Sequence, residues 1–341
     1  MIIATIRDVA KRAGVSVATV SAVVNNSKPV SEPLRQRVQE AIEALGYRQN
    51  LLARALYTKR TMTLAFLVPS IENPFFAEVL RAVEETAHAN NYSVFVGSTN
   101  GDRAKVEFYR DRLIALGVDG VLTVLSWDVV SSDLIPALQA YEIPVVGVAG
   151  SRTLPNIDCF VSDDFGAGEQ AARYLLGLGH RQIAFIGSKD SQTTVLRYEG
   201  VKSALSKSDI EPDPSLLITV DGYEEADGSR AVSELIVQNS EFTAVVAFND
   251  VMALGALSAF EDQGFSVPER LSVISFDDTI SGYTRPRLTT VVCPKHDLGA
   301  KGVAKLLARI EGDDSPPQIH KLPTRILARE STRSPWVAHY V

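Results

Sequence analysis

The sequence predicts a small all-α head followed by an α/β body that holds two parallel sheets. Three observations carry this. Apolar residues recur at helical spacing through roughly the first fifty positions. From residue 63, short Val/Ile/Leu-rich runs alternate with amphipathic helices, and the alternation occurs twice. Near-continuous apolar strands are what sheets covered on both faces require. At 341 residues the chain can give each part a core.

Residues 5–25 read as two short helices around a tight turn. Thr5 can cap the first, with Asp8 answering it three residues on as in a capping box. Val9, Ala10 and Ala13 form its apolar face, and Gly14 is placed to end it in the left-handed region. Ser16 can cap the second helix, over 17–24. There Val20, Val23 and Val24 must pack inward, while Val17, Ala18, Ser21, Ala22 and Asn25 share the opposite face. Two helices across a Gly-containing turn are the helix-turn-helix pattern, whose second helix enters the DNA major groove; an ordinary helical hairpin has the same spacing. After a loop broken by Pro29, Ser31 and Pro33 start a third helix with Leu34, Val38, Ile42 and Leu45 inward. Gly46 stops it.

The charge is uneven. Residues 1–60 carry ten Lys/Arg against four Asp/Glu, whereas the rest carries twenty-four against thirty-seven, so the overall −7 hides a basic head on an acidic body. Between them, residues 49–56 (QNLLARAL) are helical in composition and too apolar for a passive linker, so they read as a segment that orders when something else is present.

In the body, strands are expected at 64–68, 93–97, 120–125 and 144–148, with helices near 75–89, 103–116 and 132–141. A second series has strands at 182–187, 217–220, 244–248 and 272–276, with helices near 165–178, 194–206, 223–237 and 250–263. A strand at 289–292, a helix at 296–310 and closing strands within 318–327 must be shared between the two. Open parallel sheets bind ligands beyond the carboxyl ends of their strands. The positions to inspect are therefore 70–76, 126–127, 188–197, 249–250 and 277–278.

Several classes are excluded. Cys159 and Cys293 show neither a disulfide framework nor metal spacing, so no metal or cofactor is expected. No apolar run approaches the ~18–20 residues that span a bilayer, and no secretory signal precedes the first helix, which implies a cytoplasmic protein. An enzyme is not expected, because the chain lacks GxGxxG after its first strand, GxxxxGK[ST] and GxSxG, and its five histidines pair with no nucleophile motif. A soluble binding protein of the periplasmic type would share the body but not the helix-turn-helix.

The chain resembles the lactose-repressor family of bacterial transcription regulators from Thr5 to about Arg333. The resemblance is carried by TIRDVAKRAGVSVATVS, ARAL in the linker, ENPFFAEVL after the first strand, RYEG at 197–200, AFND at 247–250 and SFDD at 275–278. It implies a homodimer on a roughly palindromic double-stranded operator, with no membrane partner. The helix-turn-helix domain would span 1–48 and a hinge helix 49–60. Residues 61–341 would be a periplasmic-binding-protein-like body of type I, for effector binding and dimerisation. Its N-subdomain would comprise about 61–161 and 293–320, its C-subdomain about 162–292 and 321–333. With no leucine heptads after Arg333, a dimer is the default.

Thr5, Ser16, Thr19, Ser21 and Asn25 match phosphate-contacting positions, which position a head without reading sequence. Leu56 matches the family's wedge leucine, beside Arg54; apolar wedges trade unstacking for bent DNA. Base reading falls to Val17, Ala18 and Ala22. None has a donor or acceptor, so they offer only apolar contact to thymine methyls, with more reliance on DNA shape. Arg197, Asn249 and Asp277 match the polar trio of the effector site, and Phe75, Phe76 and Trp127 are candidates to stack on a ligand, with Ser70 beside them. Sugar-sensing relatives often carry Asp-Arg where this chain has Ala149 and Gly150, which removes an acceptor. A sugar or sugar derivative is expected, with a sugar acid, sugar phosphate or nucleobase as alternatives; the hydroxyls of Ser191, Thr193 and Thr194 would suit an anionic group. Operator affinity would follow cleft closure driven by the effector.

Overall fold

Thr5 opens α1 (Ile6–Ala13) with a complete capping box: the Asp8 amide donates to Thr5 Oγ1 at 3.4 Å and the Thr5 amide donates to Asp8 Oδ2 at 2.8 Å. Gly14 closes it at φ 63°. The left-handed conformation is what calls for glycine here; a Cβ would meet only the mobile tip of Arg37, Nη2 at 2.8 Å. Arg37 comes from α3 (Glu32–Leu45) and donates to the carbonyls of Ala13 and Gly14, satisfying the end of α1. In α2 (Val17–Asn25) the expected cap holds, with the Thr19 amide donating to Ser16 Oγ at 3.1 Å. Ser31 precedes α3 in extended conformation but makes no side-chain cap bond, and Pro33 fills the first turn. Val9, Ala10, Ala13, Val20, Val23, Val38 and Ala41 form the core of the head, with Ile42 and Leu45 packed against it.

This computed structural model describes residues 4–25, 28–48, 55, 58–189, 191–238 and 241–335. The chain divides into two units, residues 1–62 and 63–341.

The second unit contains two six-stranded sheets. The first is built from β1 (Thr63–Val68), β2 (Ser93–Ser98), β3 (Gly120–Thr123), β4 (Val145–Val148), β5 (Asp158–Ser162) and β11 (Ile319–Leu322), in the spatial order β11-β5-β4-β3-β1-β2 and parallel throughout. The second holds β6 (Ile183–Ser188), β7 (Leu217–Val220), β8 (Ala244–Ala247), β9 (Ser272–Asp277), β10 (Thr289–Val292) and β12 (Arg325–Leu327), ordered β12-β10-β9-β8-β6-β7. Its pairs are parallel except β12 against β10. The central strands β1, β3, β4, β6, β8 and β9 are buried nearly throughout because helices cover both faces, whereas β2, β11 and β12 are more open.

Around the first sheet lie α4 (Pro74–Ala89), α5 (Arg103–Leu116), α6 (Trp127–Val130), α7 (Leu134–Ala140) and α12 (Lys295–Ile310). Around the second lie α8 (Asp164–Leu178), α9 (Gln192–Ser206), α10 (Glu225–Val237) and α11 (Asp250–Asp262). The chain passes between the sheets between β5 and α8, between β10 and α12, and between β11 and β12. Strand β5 and helix α6 were not foreseen. The expected elements leave 149–164 unassigned, and a five-residue strand with a leading Asp and a Cys carries little pattern of its own. Helix α10 starts two residues later than expected, because the Glu224 amide donates to Asp227 Oδ2 at 2.8 Å and sets the helix start there. Tyr223 is thereby left outside the helix.

Candidate functional sites in the head and the cleft

On α2, Val17 is 42 % exposed and Ala18 is also open, whereas Thr19 and Ser21 are half-buried. Ser16 Oγ and Thr19 Oγ1 lie 2.9 Å apart, and Asn25 Nδ2 donates to the Ser21 carbonyl at 2.9 Å and to Ser21 Oγ at 3.2 Å. Ser16 with Thr19 and Ser21 with Asn25 thus form two local pairs on α2, and Thr5 pairs with Asp8 at the start of α1. Ala22 departs from expectation: it is buried, 8 % exposed, not on an open face. On a nine-residue helix with Val at 20, 23 and 24, the buried stripe is wide enough to take in the adjacent alanine. Of the three expected base-facing residues, Val17 and Ala18 remain on the open face. Arg54 and Leu56 lie outside the described residues, as does most of the expected hinge.

In the body, the carboxyl ends of the two sheets enclose a cleft. Its inner chamber, about 80 Å³, is lined by Phe75, Phe76, Asp164, Arg197, Asn249 and Asp277, with Ser151 and Thr193. A wider outer chamber of about 450 Å³ is lined by Phe76, Ser126, Trp127, Asp128, Arg152, Tyr223 and Phe248 among others. Arg197, Asn249 and Asp277 are thus brought together, with Phe75 and Phe76 across from them, and Trp127 stands at the outer chamber, 67 % exposed under the Arg152 guanidinium. Ser70 lines neither chamber. It is half-buried and its hydroxyl accepts from the Glu72 amide at 3.1 Å, a turn-forming role that leaves the cleft wall to Pro69.

Arg197 was expected to present its donor fork to a ligand. Instead the protein occupies the fork. Nε donates to Asp164 Oδ1 at 2.8 Å, Nη1 donates to the Phe248 carbonyl, and Nη2 lies 3.6 Å from Asp277 Oδ1. Its plane sits over Phe276 at 4.2 Å and near Phe248 at 5.5 Å. Arg197 is 5 % exposed, so a buried cation is held by two carboxylates and a carbonyl. Asn249 is similarly committed: Oδ1 caps α11 by accepting from the Met252 amide at 2.7 Å, and Nδ2 donates to the Tyr223 carbonyl at 3.2 Å. That second bond places Tyr223, which stacks on Phe248 with centroids 6.4 Å apart.

Burial pushes the Asp277 carboxyl up to about 6, against the pull of Arg197 and Lys295. Both Asp277 (φ 98°) and Asp278 (φ 59°) have left-handed backbone. That strained turn is held by Lys295, which donates to both their carbonyls, to Asp278 at 3.0 Å, and pairs with Glu78 at 3.4 Å. Asp250 holds the following loop by accepting from the amides of Thr279 at 2.6 Å and Ile280 at 3.2 Å. The Cys293 thiol, beside Asp277 and Arg197, is raised far above its ordinary value by burial.

The residues that the sequence did not reveal are Asp164, Ser151, Asp128 and Tyr223. Asp164 follows the unforeseen β5, and Asp128 sits on the unforeseen α6. Ser151, after β4, spans the cleft: its hydroxyl lies 2.5 Å from both Asp164 Oδ2 and Thr193 Oγ1. His180 Nε2 lies 3.0 Å from Ser272 Oγ in a buried contact, but the other ring nitrogen meets Thr243 Oγ1 at 2.9 Å and neither residue lines the cleft. Burial lowers the His180 pKa, as suits a neutral structural imidazole. Among the described residues no group of His, Cys, Asp and Glu is arranged to hold a metal ion.

Comparison with known proteins places these features. Residues 5–50 match the family described as bacterial regulatory proteins, lacI family, and residues 172–332 match a periplasmic binding protein-like domain. The HTH-type transcriptional repressor PurR of Histophilus somni is 33 % identical over 334 residues, which cover 97 % of this chain and 99 % of that protein. The lac repressor dimer, solved bound to operator and the anti-inducer ONPF, superposes with a TM-score of 0.87 at 26 % identity, covering 97 % of this chain and 100 % of that one. The transcriptional regulator CelR in complex with cellobiose gives 0.73 at 29 % identity over 96 % of this chain and 99 % of that one. A helix-turn-helix head, a two-sheet body with a ligand-sized cleft, and a full-length repressor relative converge: the chain belongs to the lacI family of bacterial regulatory proteins.

Proposed function

We propose that the protein is a cytoplasmic transcriptional repressor, not an enzyme, that binds a roughly palindromic operator as a homodimer and whose DNA affinity is set by a small molecule in the cleft. The observation that carries this is the coexistence in one chain of a capped helix-turn-helix in a basic head and a polar, aromatic-walled cleft between two sheets. The cleft supports a small ring-bearing effector: the cellobiose held by CelR supports a sugar or sugar derivative, and the PurR repressors at 33 % and 35 % identity support the alternative of a nucleobase. Thr5, Ser16, Thr19, Ser21 and Asn25 would position the head on phosphates, and Val17 and Ala18 would meet base edges. An effector that bridges the two sheet systems would bias cleft closure. Regulation then needs a difference in operator affinity between the two states, typically ~1–3 kcal/mol.

The test is retardation of DNA from the protein's own upstream region, with and without candidate effectors. In the same assay Leu56→Ala should weaken specific operator binding by at least about tenfold, as loss of an inserted wedge would, and leave non-specific binding nearly unchanged. Equal loss of both would remove the wedge reading.

A further inference from the structure

We propose that the outer chamber takes a neutral or cationic ring carrying a pair of N–H or O–H donors, received by Asp128, and that it rejects sugar acids and sugar phosphates. The proposal rests on the cleft being the effector site.

Asp128 lies on α6 and is 4 % exposed, yet it lines the outer chamber, and its Oδ2 has no hydrogen-bond partner among the described residues. Buried polar atoms are nearly always paired, and one left without a donor is a place where a ligand can supply it. Ser126 Oγ, two residues earlier on the same wall, is also buried and unpartnered. An ionised carboxylate only accepts, while a hydroxyl can do either. Two adjacent donors on a ring, whether vicinal hydroxyls or ring and exocyclic N–H groups, match that pair.

The rest of the chamber fits a ring. Phe76, Tyr223, Phe248 and Trp127 offer aromatic faces, and Tyr223 is close enough to Asp128 to feel its charge across the chamber. Ala149 and Gly150 contribute no side-chain acceptor, so Asp128 is the sole carboxylate among the described lining residues.

The charges oppose an anion. Glu72 and Glu224 lie near enough to each other beside Tyr223 for their charges to interact. The cations of the chamber are Arg152, engaged over the Trp127 ring at 5.4 Å, and the exposed Lys189, paired to Asp221 at 3.5 Å. Lys189 is exposed, so its attraction is screened by solvent, and Arg152 is held over the Trp127 ring, whereas the repulsion from buried Asp128 is screened less. Arg197, the strongest anion-binding group in the cleft, is already neutralised by Asp164 and Asp277.

The experiment is calorimetric titration and thermal shift on the full chain with ribose, cellobiose, glucosamine, adenine, gluconate and glucose 6-phosphate. The proteins are wild type, Asp128→Asn, Asp128→Leu and a Trp127→Ala/Tyr223→Ala double variant. A neutral or cationic probe should bind, and gluconate and glucose 6-phosphate should bind at least tenfold more weakly. Asp128→Leu should weaken the binding probe at least tenfold, with Asp128→Asn in between, and the ligand-free melting temperatures show that both variants fold. Hydroxyl against amine probes separate the two sources of a donor pair. The proposal is overturned if an anionic probe binds tightest, if Asp128→Leu changes affinity less than twofold, or if no neutral or cationic probe binds. A probe that binds wild type and the double variant equally is not in the cleft, and that outcome instead sinks the assignment of the cleft as effector site.

Discussion

At the scale of single residues, the cleft is governed by Arg197 and its two carboxylates. Each of the three is buried, and each is tolerable only because the others are present. Asp277 is the least comfortable member, since its carboxyl is pushed up to about 6 by burial despite Arg197. A folded-state value above the ordinary 3.8 means that the native protein holds this proton more tightly than the unfolded chain does. The associated stability is complete below about pH 4 and is lost as pH rises through about 6. Relative to Asp277→Asn, the wild-type body should therefore become more stable as pH is lowered from 7 to 4, in denaturant titrations at several pH values. Parallel pH profiles for the two proteins would show that burial does not raise the Asp277 carboxyl above its unfolded value.

At the scale of elements, Arg197 is placed by the contact of α8 with α9. The two helices approach so closely that a Cβ on Gly168 would fall 1.9 Å from the Arg197 carbonyl oxygen, and one on Gly200 would fall 2.1 Å from that of Phe165. Asp164 opens α8 and Arg197 lies on α9, so this crossing fixes the ion pair. Gly168→Ala must spread the helices, which overpacking data put at about 1–3 kcal/mol. Its unfolding free energy should drop by that amount, and effector affinity should drop with it. A variant that is destabilised yet binds effector normally would show that helix spacing does not control the pair. The same crossing explains the RYEG motif: its arginine needs the glycine three residues on for the neighbouring helix to come within reach.

For the whole molecule, the uneven charge separates two kinds of binding. A basic head that neutralises phosphates releases counterions, so operator affinity should fall steeply with salt, by about 10³–10⁵ between 50 and 200 mM for some 6–10 phosphate contacts. A neutral effector held by a buried carboxylate and aromatic faces should bind almost independently of salt over that range. Fluorescence anisotropy on operator DNA and calorimetry on the effector measure the two slopes. A flat operator slope would contradict phosphate positioning by the head.

The sequence by itself determined whatever local chemistry dictates. Thr5 with Asp8, Gly14, Ser16 and Gly46 mark helix ends through groups at most a few residues away, and these boundaries hold in the structure. Apolar runs that must be covered on both faces announced most of the strands of the body, and strand ends pointed to Asn249 and Asp277. Family motifs brought in Arg197. Contacts between residues distant in the chain were decided only by tertiary structure. Arg37 closing α1, Asp164 occupying Arg197, Ser151 reaching Thr193, and Lys295 holding the 277–278 turn join segments with no local pattern in common. Asp128 is the clearest case. On the linear chain it is one acidic residue among many, and it becomes a specificity element only because a four-residue helix buries it at the wall of a cleft. Burial, not residue type, is what makes an unpartnered carboxylate oxygen demand a donor.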